Sequence, residues 1–373
     1  MIGTAPVNGG IASLVISTLV SGSHALTASY GGDANDAPSI SGIVAQTVKY
    51  LQTITFGTLA NVTLSVPPFS IAATASSGSA VTFVSTTPSV CTVSGNIVTD
   101  IAAGTCSITA TQAGNGTFAP ATPVMQSFTV IGPAIASGGI VPIDSTMTTI
   151  QPGEWASIYG TNLASSPVTW TGNFPTSLGG TSVTVDGKAA YLSYVSPGLI
   201  NFQAPDDTAT GPVTVAVTTG SGNASLTVTL AQFGPSFVLL DSKHVAGIII
   251  RSNGSGAYGG GTYDIIGPTG NALGYPTIAA KAGDAVELFG VGFGPTNPPV
   301  PAGHAFTGAA MTTNSVQIMI GGAVVVPFFA GLTSAGLYQI NLIIPAGLGT
   351  GDQTLVATVG GVQTQSGVVI SLQ

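Results

Sequence analysis

Pro152-Gly153-Glu154-Trp155-Ala156-Ser157-Ile158-Tyr159-Gly160 returns 130 residues later as Ala282-Gly283-Asp284-Ala285-Val286-Glu287-Leu288-Phe289-Gly290. Further on, Gly198-Leu199-Ile200-Asn201-Phe202-Gln203-Ala204-Pro205 returns as Leu337-Tyr338-Gln339-Ile340-Asn341-Leu342-Ile343-Ile344-Pro345. Each copy then closes with a Gly turn and a Val/Thr strand, at Gly211–Val217 and at Gly351–Val359. A repeated β module with no repeated set of reactive side chains points to an architectural protein.

Composition excludes several classes of function. Only 5% of the 373 residues are charged, with 5 Lys+Arg against 13 Asp+Glu and a net charge of −8. The cations Lys49, Lys188, Lys243, Arg251 and Lys281 are scattered, so no surface is built to neutralise phosphate or an anionic membrane. The mean hydropathy of +0.53 comes from Val, Ile, Ala and Leu dispersed among Thr, Ser and Gly. No uninterrupted apolar stretch of about 20 residues exists, so membrane insertion is not expected. Apolar residues amount to 44%, enough to build cores despite 52 Gly and 24 Pro. No window keeps a helical apolar pattern without Gly or Pro interrupting it, so the expected fold is all-β with no significant helix.

Residues 1–48 contain two alternating runs, Ala12–Ser17 and Ala25–Tyr30, closed by Gly31-Gly32-Asp33-Ala34-Asn35-Asp36. Gly3–Val7, the turn Leu19–His24 and Ala28–Asp33 resemble the second half of a bacterial Ig-like repeat domain. Such domains need about seven strands, so this is a partial unit, whose missing strands either lie upstream of these residues or are supplied by a neighbouring chain. Residues 49–131 carry seven short strand runs punctuated by turns, and Thr86–Val93 through Gly104–Cys106 again resemble a bacterial Ig-like domain. Residues 132–231 and 232–373 are the two repeats. Gln151–Leu163 is similar to the opening strand and turn of IPT/TIG-type Ig folds. With Pro175–Gly180 and the phrases Ile200-Asn201…Pro205 and Ile340-Asn341…Pro345, the pair resembles a C-terminal module of large secreted acidobacterial proteins. That resemblance implies tandem Ig-like β-sandwiches and an extracellular location, and it carries over no catalytic residues. The second copy is longer, with a Gly/Ser-rich insert around 241–275; Lys243, His244 and Arg251 make it the expected contact surface. Met1–Pro6 has neither a basic nor an apolar leader region, so export implies a signal outside these residues.

Candidate chemistry is sparse. Cys91 and Cys106 are the only cysteines, and their spacing favours a structural disulfide over a redox or metal pair. His24, His244 and His304 fall in separate segments, which offers neither a metal set nor a triad. Glu154 and Glu287 belong to different repeats and so do not make a glycosidase pair across one cleft. Asp33 with Asp36, and Asp206 with Asp207, are candidate calcium ligands, although paired aspartates in turns more often cap backbone amides. Trp155, Trp170 and Tyr194 are candidate sugar contacts. Asn61, Asn115, Asn223 and Asn253 head N-x-S/T sequons, candidate glycosylation sites.

The expected function is that of an extracellular structural and adhesive protein, without enzymatic activity or cofactor. Its partners would be copies of itself, in a cell-surface filament assembled by strand complementation, or other surface components, and no nucleic acid. Gly367–Leu372 is either the donor strand or the last strand of its own sandwich. The alternative is a non-catalytic carbohydrate- or surface-binding appendage of a larger secreted protein.

Overall fold

The computed structural model describes residues 1–64, 66–257 and 261–373. Residues 258–260, within the insert, lie outside the described residues. Among those described there is no helix, and therefore none long and apolar enough to cross a membrane. The chain is an all-β tandem of Ig-like sandwiches, as its Val, Ile and Thr content and frequent Gly turns dictate. It forms two compact units, Met1–Ile131 and Gly132–Gln373.

In the first unit, residues 49–131 build a sandwich around Ile54, Phe56, Val98, Ile108 and Phe128. One sheet orders Val62–Thr63, Val124–Ile131, Gly104–Thr111 and Thr82–Ser85; the facing sheet orders Cys91–Ser94, Ile97–Asp100 and Phe69–Ser70. Gly104–Thr111 alternates strictly, with Cys106, Ile108 and Ala110 inward. Cys91 and Cys106 are disulfide-bonded and fully buried, so the bond staples one sheet to the other. Residues 1–48 differ from this pattern. Gly22–Leu26 pairs with Val44–Val48, and Ser29–Tyr30 pairs with Ser39–Ile40. The run Ala12–Ser17, expected as a strand, has no ladder partner and is irregular, because alternation alone cannot hold a strand without a neighbour.

The second unit holds two cores. In the first repeat one sheet orders Ala134–Pro142, Trp155–Thr161, Leu199–Gln203, Tyr191–Val195 and Val168–Thr169. It packs through Ala156, Ile158, Ile200 and Phe202 against Val183, Val215, Val217 and Leu230 of the opposing sheet. The second repeat uses the same plan. Trp155 pairs opposite Gln203 and Ser157 opposite Asn201; Ala285 pairs opposite Ile343 and Glu287 opposite Asn341. The register therefore equates Trp155 with Ala285 and Gln203 with Ile343. Val369–Leu372 pairs with Gly351–Thr354 and buries Val368, Ile370 and Leu372 in its own core. Of the two roles expected for this run it takes that of final strand, and it is not free to be donated.

Replacing Cys91 and Cys106 by Ala is expected to destabilise the 49–131 sandwich by about 3 kcal/mol, from the entropy of a fifteen-residue loop. Urea unfolding of the oxidised protein and the double variant measures this. Coincident curves would mean that packing alone holds the sheets together.

Candidate functional site

The repeated turn lines a cleft of the second unit. Glu154 N donates to Gln151 O (3.3 Å), with Pro152 and Gly153 (φ 78°) in the central positions. Proline second and a left-handed glycine third is the pattern of a type II turn. The carboxylate then folds back, and Gln151 N donates to Glu154 Oε1 (2.8 Å). Gly153 N donates to Ala204 O and Ala204 N to Glu154 O, fixing the turn to the end of the neighbouring strand. The second copy repeats every bond. Asp284 N donates to Lys281 O, Lys281 N to Asp284 Oδ2 (3.0 Å), Gly283 N to Ile344 O and Ile344 N to Asp284 O.

The copies differ in what lies over the turn. Asp284 Oδ1 accepts Arg251 Nη1 (3.1 Å), and Arg251 Nε donates to Asp264 Oδ2 (2.8 Å), so the insert seals its own turn with a guanidinium. Over Glu154 sits the second repeat. Gly294 N donates to Gln151 Oε1 (2.7 Å), and the Tyr338 hydroxyl donates to Gly294 O. Trp155 Nε1 donates to Ala335 O (2.7 Å), Gly303 N to Gln203 Oε1 (2.8 Å) and Ala302 N to Asp206 Oδ2 (3.1 Å). The approach is close enough to require glycine. A Cβ on Gly303 would lie 2.2 Å from the Tyr191 ring, and one on Gly336 would lie 2.8 Å from Trp155 Cδ1. Glu154 itself is 0% exposed and its Oε2 has no partner. Burial pushes its carboxyl well above the usual range, against the opposing effect of the Gln151 amide.

Along this seam runs a cleft of about 440 Å³. Pro152, Pro299, Val300 and Leu332 supply apolar wall, and Asp206 and Asp207 supply carboxylates. Lys188 Nζ bridges Asp207 Oδ1 (2.7 Å), and Ala209 N donates to the same oxygen (2.9 Å). Lys188 first, then Ala209, hold the Asp207 carboxyl below its ordinary value. The Asp207 side chain is only 4% exposed, and its Oδ2 is buried without a partner.

The structure distributes the other candidates as follows. Asp33 Oδ1 accepts Asn35 N and Asp36 N, and its Oδ2 accepts the Tyr30 hydroxyl, an Asx turn whose bonds lower its pKa. Among the described residues no group of three or more His, Cys, Asp or Glu is placed to hold a metal. Trp155 and Trp170 both pack edge-on against Phe174, at centroid distances of 5.1 and 4.7 Å. Tyr194 lies in the same sheet, opposite Thr169 and Asn201. Asn61, Asn115, Asn223 and Asn253 are all exposed.

Lys243, His244 and Arg251 of the insert each pair with carboxylates of their own repeat, Lys243 remaining exposed. Lys243 bridges Asp352 (2.6 Å), and buried His244 lies between Asp241 (2.8 Å) and Asp352 (3.2 Å). Burial raises the Asp241 carboxyl, but the amides of His244 and Lys243 and the imidazole outweigh it, holding it down to about 2. Sequence reasoning missed Gln151, Gln203 and Phe174. Setting the copies side by side would have flagged the first two, since the second repeat builds the same turn with Lys281 and Ile343 there.

Because burial raises the Glu154 carboxyl well above its ordinary value, its contribution to stability has a definite sign. Below about pH 4.5 both folded and unfolded chains carry the proton, with no ionisation penalty. Above it the unfolded chain gives up this proton more readily than the folded one, so stability falls as pH rises toward the folded pKa. Glu154→Gln is expected to flatten the decline in melting temperature of the 132–373 unit between pH 5 and 8. Parallel profiles in calorimetry would exclude Glu154 as its source.

Residues 1–49 match the family model of the bacterial Ig-like domain (group 3), and residues 140–233 match that of the IPT/TIG domain. No curated protein matches the chain. Among solved structures it is similar to SGBP-B of a mixed-linkage glucan utilization locus of Bacteroides ovatus, in complex with a mixed-linkage heptasaccharide. That pair is 14% identical over 85% of this chain and 67% of that one, with a TM-score of 0.29. An SGBP-B from a complex xyloglucan utilization locus in Bacteroides uniformis is 15% identical over 64% of this chain, with a TM-score of 0.19; the match spans 49% of that protein. The I9–I11 tandem of titin is 9% identical over 84% and 97%, with a TM-score of 0.26. Scores this low say nothing about ligands.

Proposed function

We propose that this tandem of Ig-like sandwiches is an extracellular, non-catalytic structural and adhesive component of a bacterial surface, assembled into a fibre by strand complementation at residues 1–48. One observation carries the reading. Residues 1–49 match an Ig-like domain, yet their apolar side chains stay in solvent, with Val15 97% and Ile40 74% exposed. Burying an aliphatic side chain of this size stabilises by roughly 1.5–3 kcal/mol. Strands of a neighbouring copy would cover Val15, Val20, Ile40 and Ile43 and pair the open ladder edges of Gly22–Leu26 and Val44–Val48. A heterologous contact of this kind repeats into an open fibre. The low charge suits close packing of subunits, and the Cys91–Cys106 bond suits an oxidising compartment.

Electron microscopy with light scattering tests this. Filaments are expected that disappear when residues 1–48 are deleted; a monodisperse particle near 36.6 kDa overturns fibre assembly. A second reading, a glycan-binding appendage, is favoured by the half-buried Trp155–Phe174–Trp170 cluster. On that reading Trp170→Ala weakens oligosaccharide binding roughly five- to tenfold in calorimetric titration, and an unchanged affinity removes Trp170 from it.

A further inference from the structure

We infer that the cleft between the two repeats is a binding site for a lysine side chain presented by another polypeptide. Three independent observations converge on it. The first is the orphaned oxygen of Asp207. Its side chain is nine-tenths buried, lines the cleft and leaves Oδ2 without a donor, although Oδ1 already has two. An ionised carboxylate oxygen withdrawn from water is unfavourable until a donor reaches it.

The second observation is the wall. Pro152, Pro299, Val300 and Leu332 form an apolar lining, and the neighbouring Asp206 adds a second carboxylate. Counting Asp206, Asp207 and the bridging Lys188, the site keeps one net negative charge in a chain of net charge −8. An unbranched aliphatic stem ending in an ammonium matches both features, the stem against the prolines and valine and the head on the carboxylates. The lining offers no open aromatic face for a sugar, since Tyr338 is buried with its hydroxyl bonded to Gly294 O.

The third observation is an internal control. The equivalent place in the second repeat has Ala346 and Gly347 where the first has Asp206 and Asp207. Its cleft, of about 80 Å³, is lined by Ala282, Pro345 and Leu348 and lacks any carboxylate side chain. The fold forms without the two acids there, so the fold does not require them. Asp206 also holds Ala302 N at the seam, but Asp207 Oδ2 has no seam contact that would account for it.

The test titrates the full chain with the peptide acetyl-Gly-Lys-Gly-amide and, as control, the same peptide with norleucine for lysine. Amide resonances of residues 206–210 and of Val300 report on occupancy. Saturable shifts are expected with the lysine peptide alone. Asp206→Asn and Val300→Phe should each weaken binding about tenfold, the scale of one charge-assisted hydrogen bond or one blocked stem. Lys188→Ala removes the internal competitor for Asp207 and should tighten binding several-fold, an effect that misfolding cannot imitate. Equal shifts with norleucine, no shift with lysine, or a response confined to calcium or to glucosamine would each overturn the assignment.

Discussion

A carboxylate folded back onto the amide three residues before it anchors each repeat of this protein. The bond from Gln151 N to Glu154, and its copy from Lys281 N to Asp284, closes a tight turn at the mouth of the central strand. Two backbone bonds then tie that turn to the end of the adjacent strand, at Ala204 and at Ile344. Strand register has a period of two, and slipping by one residue would turn Ala156 and Ile158 out of the core. The turn therefore sets which residues each sheet buries and which it presents. It also puts an acid where water does not reach, and the two copies handle that acid differently. The second pairs it with Arg251 from its own insert, whereas the first buries it without a charged partner beneath the neighbouring repeat, which raises its pKa.

That difference makes the 132–373 unit more than two sandwiches on a string. Gln151, Trp155, Gln203 and Asp206 all spend hydrogen-bonding groups on backbone atoms of the second repeat. Glycines at 303 and 336 let the loops come close enough for those bonds. A junction held by directional bonds and without room for a Cβ resists sliding as well as separation. The seam cleft thus has walls from two repeats held in one geometry, the kind of setting in which binding sites form. The unpaired oxygen of Asp207 distinguishes it from the small apolar pocket at the corresponding place in the second copy.

The first unit depends on a different constraint. Between residues 49 and 131 a disulfide joins two small sheets around a core in which Phe56, Ile108 and Phe128 meet. Residues 1–48 form two short ladders, with aliphatic side chains in solvent and one expected strand irregular. A strand is stable through its neighbours rather than through its own sequence.

Much of the fold was legible in the residues, because period-two alternation, Gly turns and β-branched runs act over a few positions and read directly. The recurrence of Pro152–Gly160 at 282–290 marks two copies of one module, and the spacing of Cys91 and Cys106 favours a bond between them. For Lys243, His244, Arg251 and Trp155 the residues alone give chemistry without partners. Tertiary structure decided their partners: Asp352, Asp241, Asp264 and Asp284 for the cations, and Ala335 O, 180 residues away, for the indole. The sequence by itself determined the β module, its duplication and the turn that starts each copy. Only the packing of one sandwich on the other decided which polar groups are used in the seam and which, on Glu154 and Asp207, keep an oxygen without a partner, because that depends on surfaces brought together from distant parts of the chain.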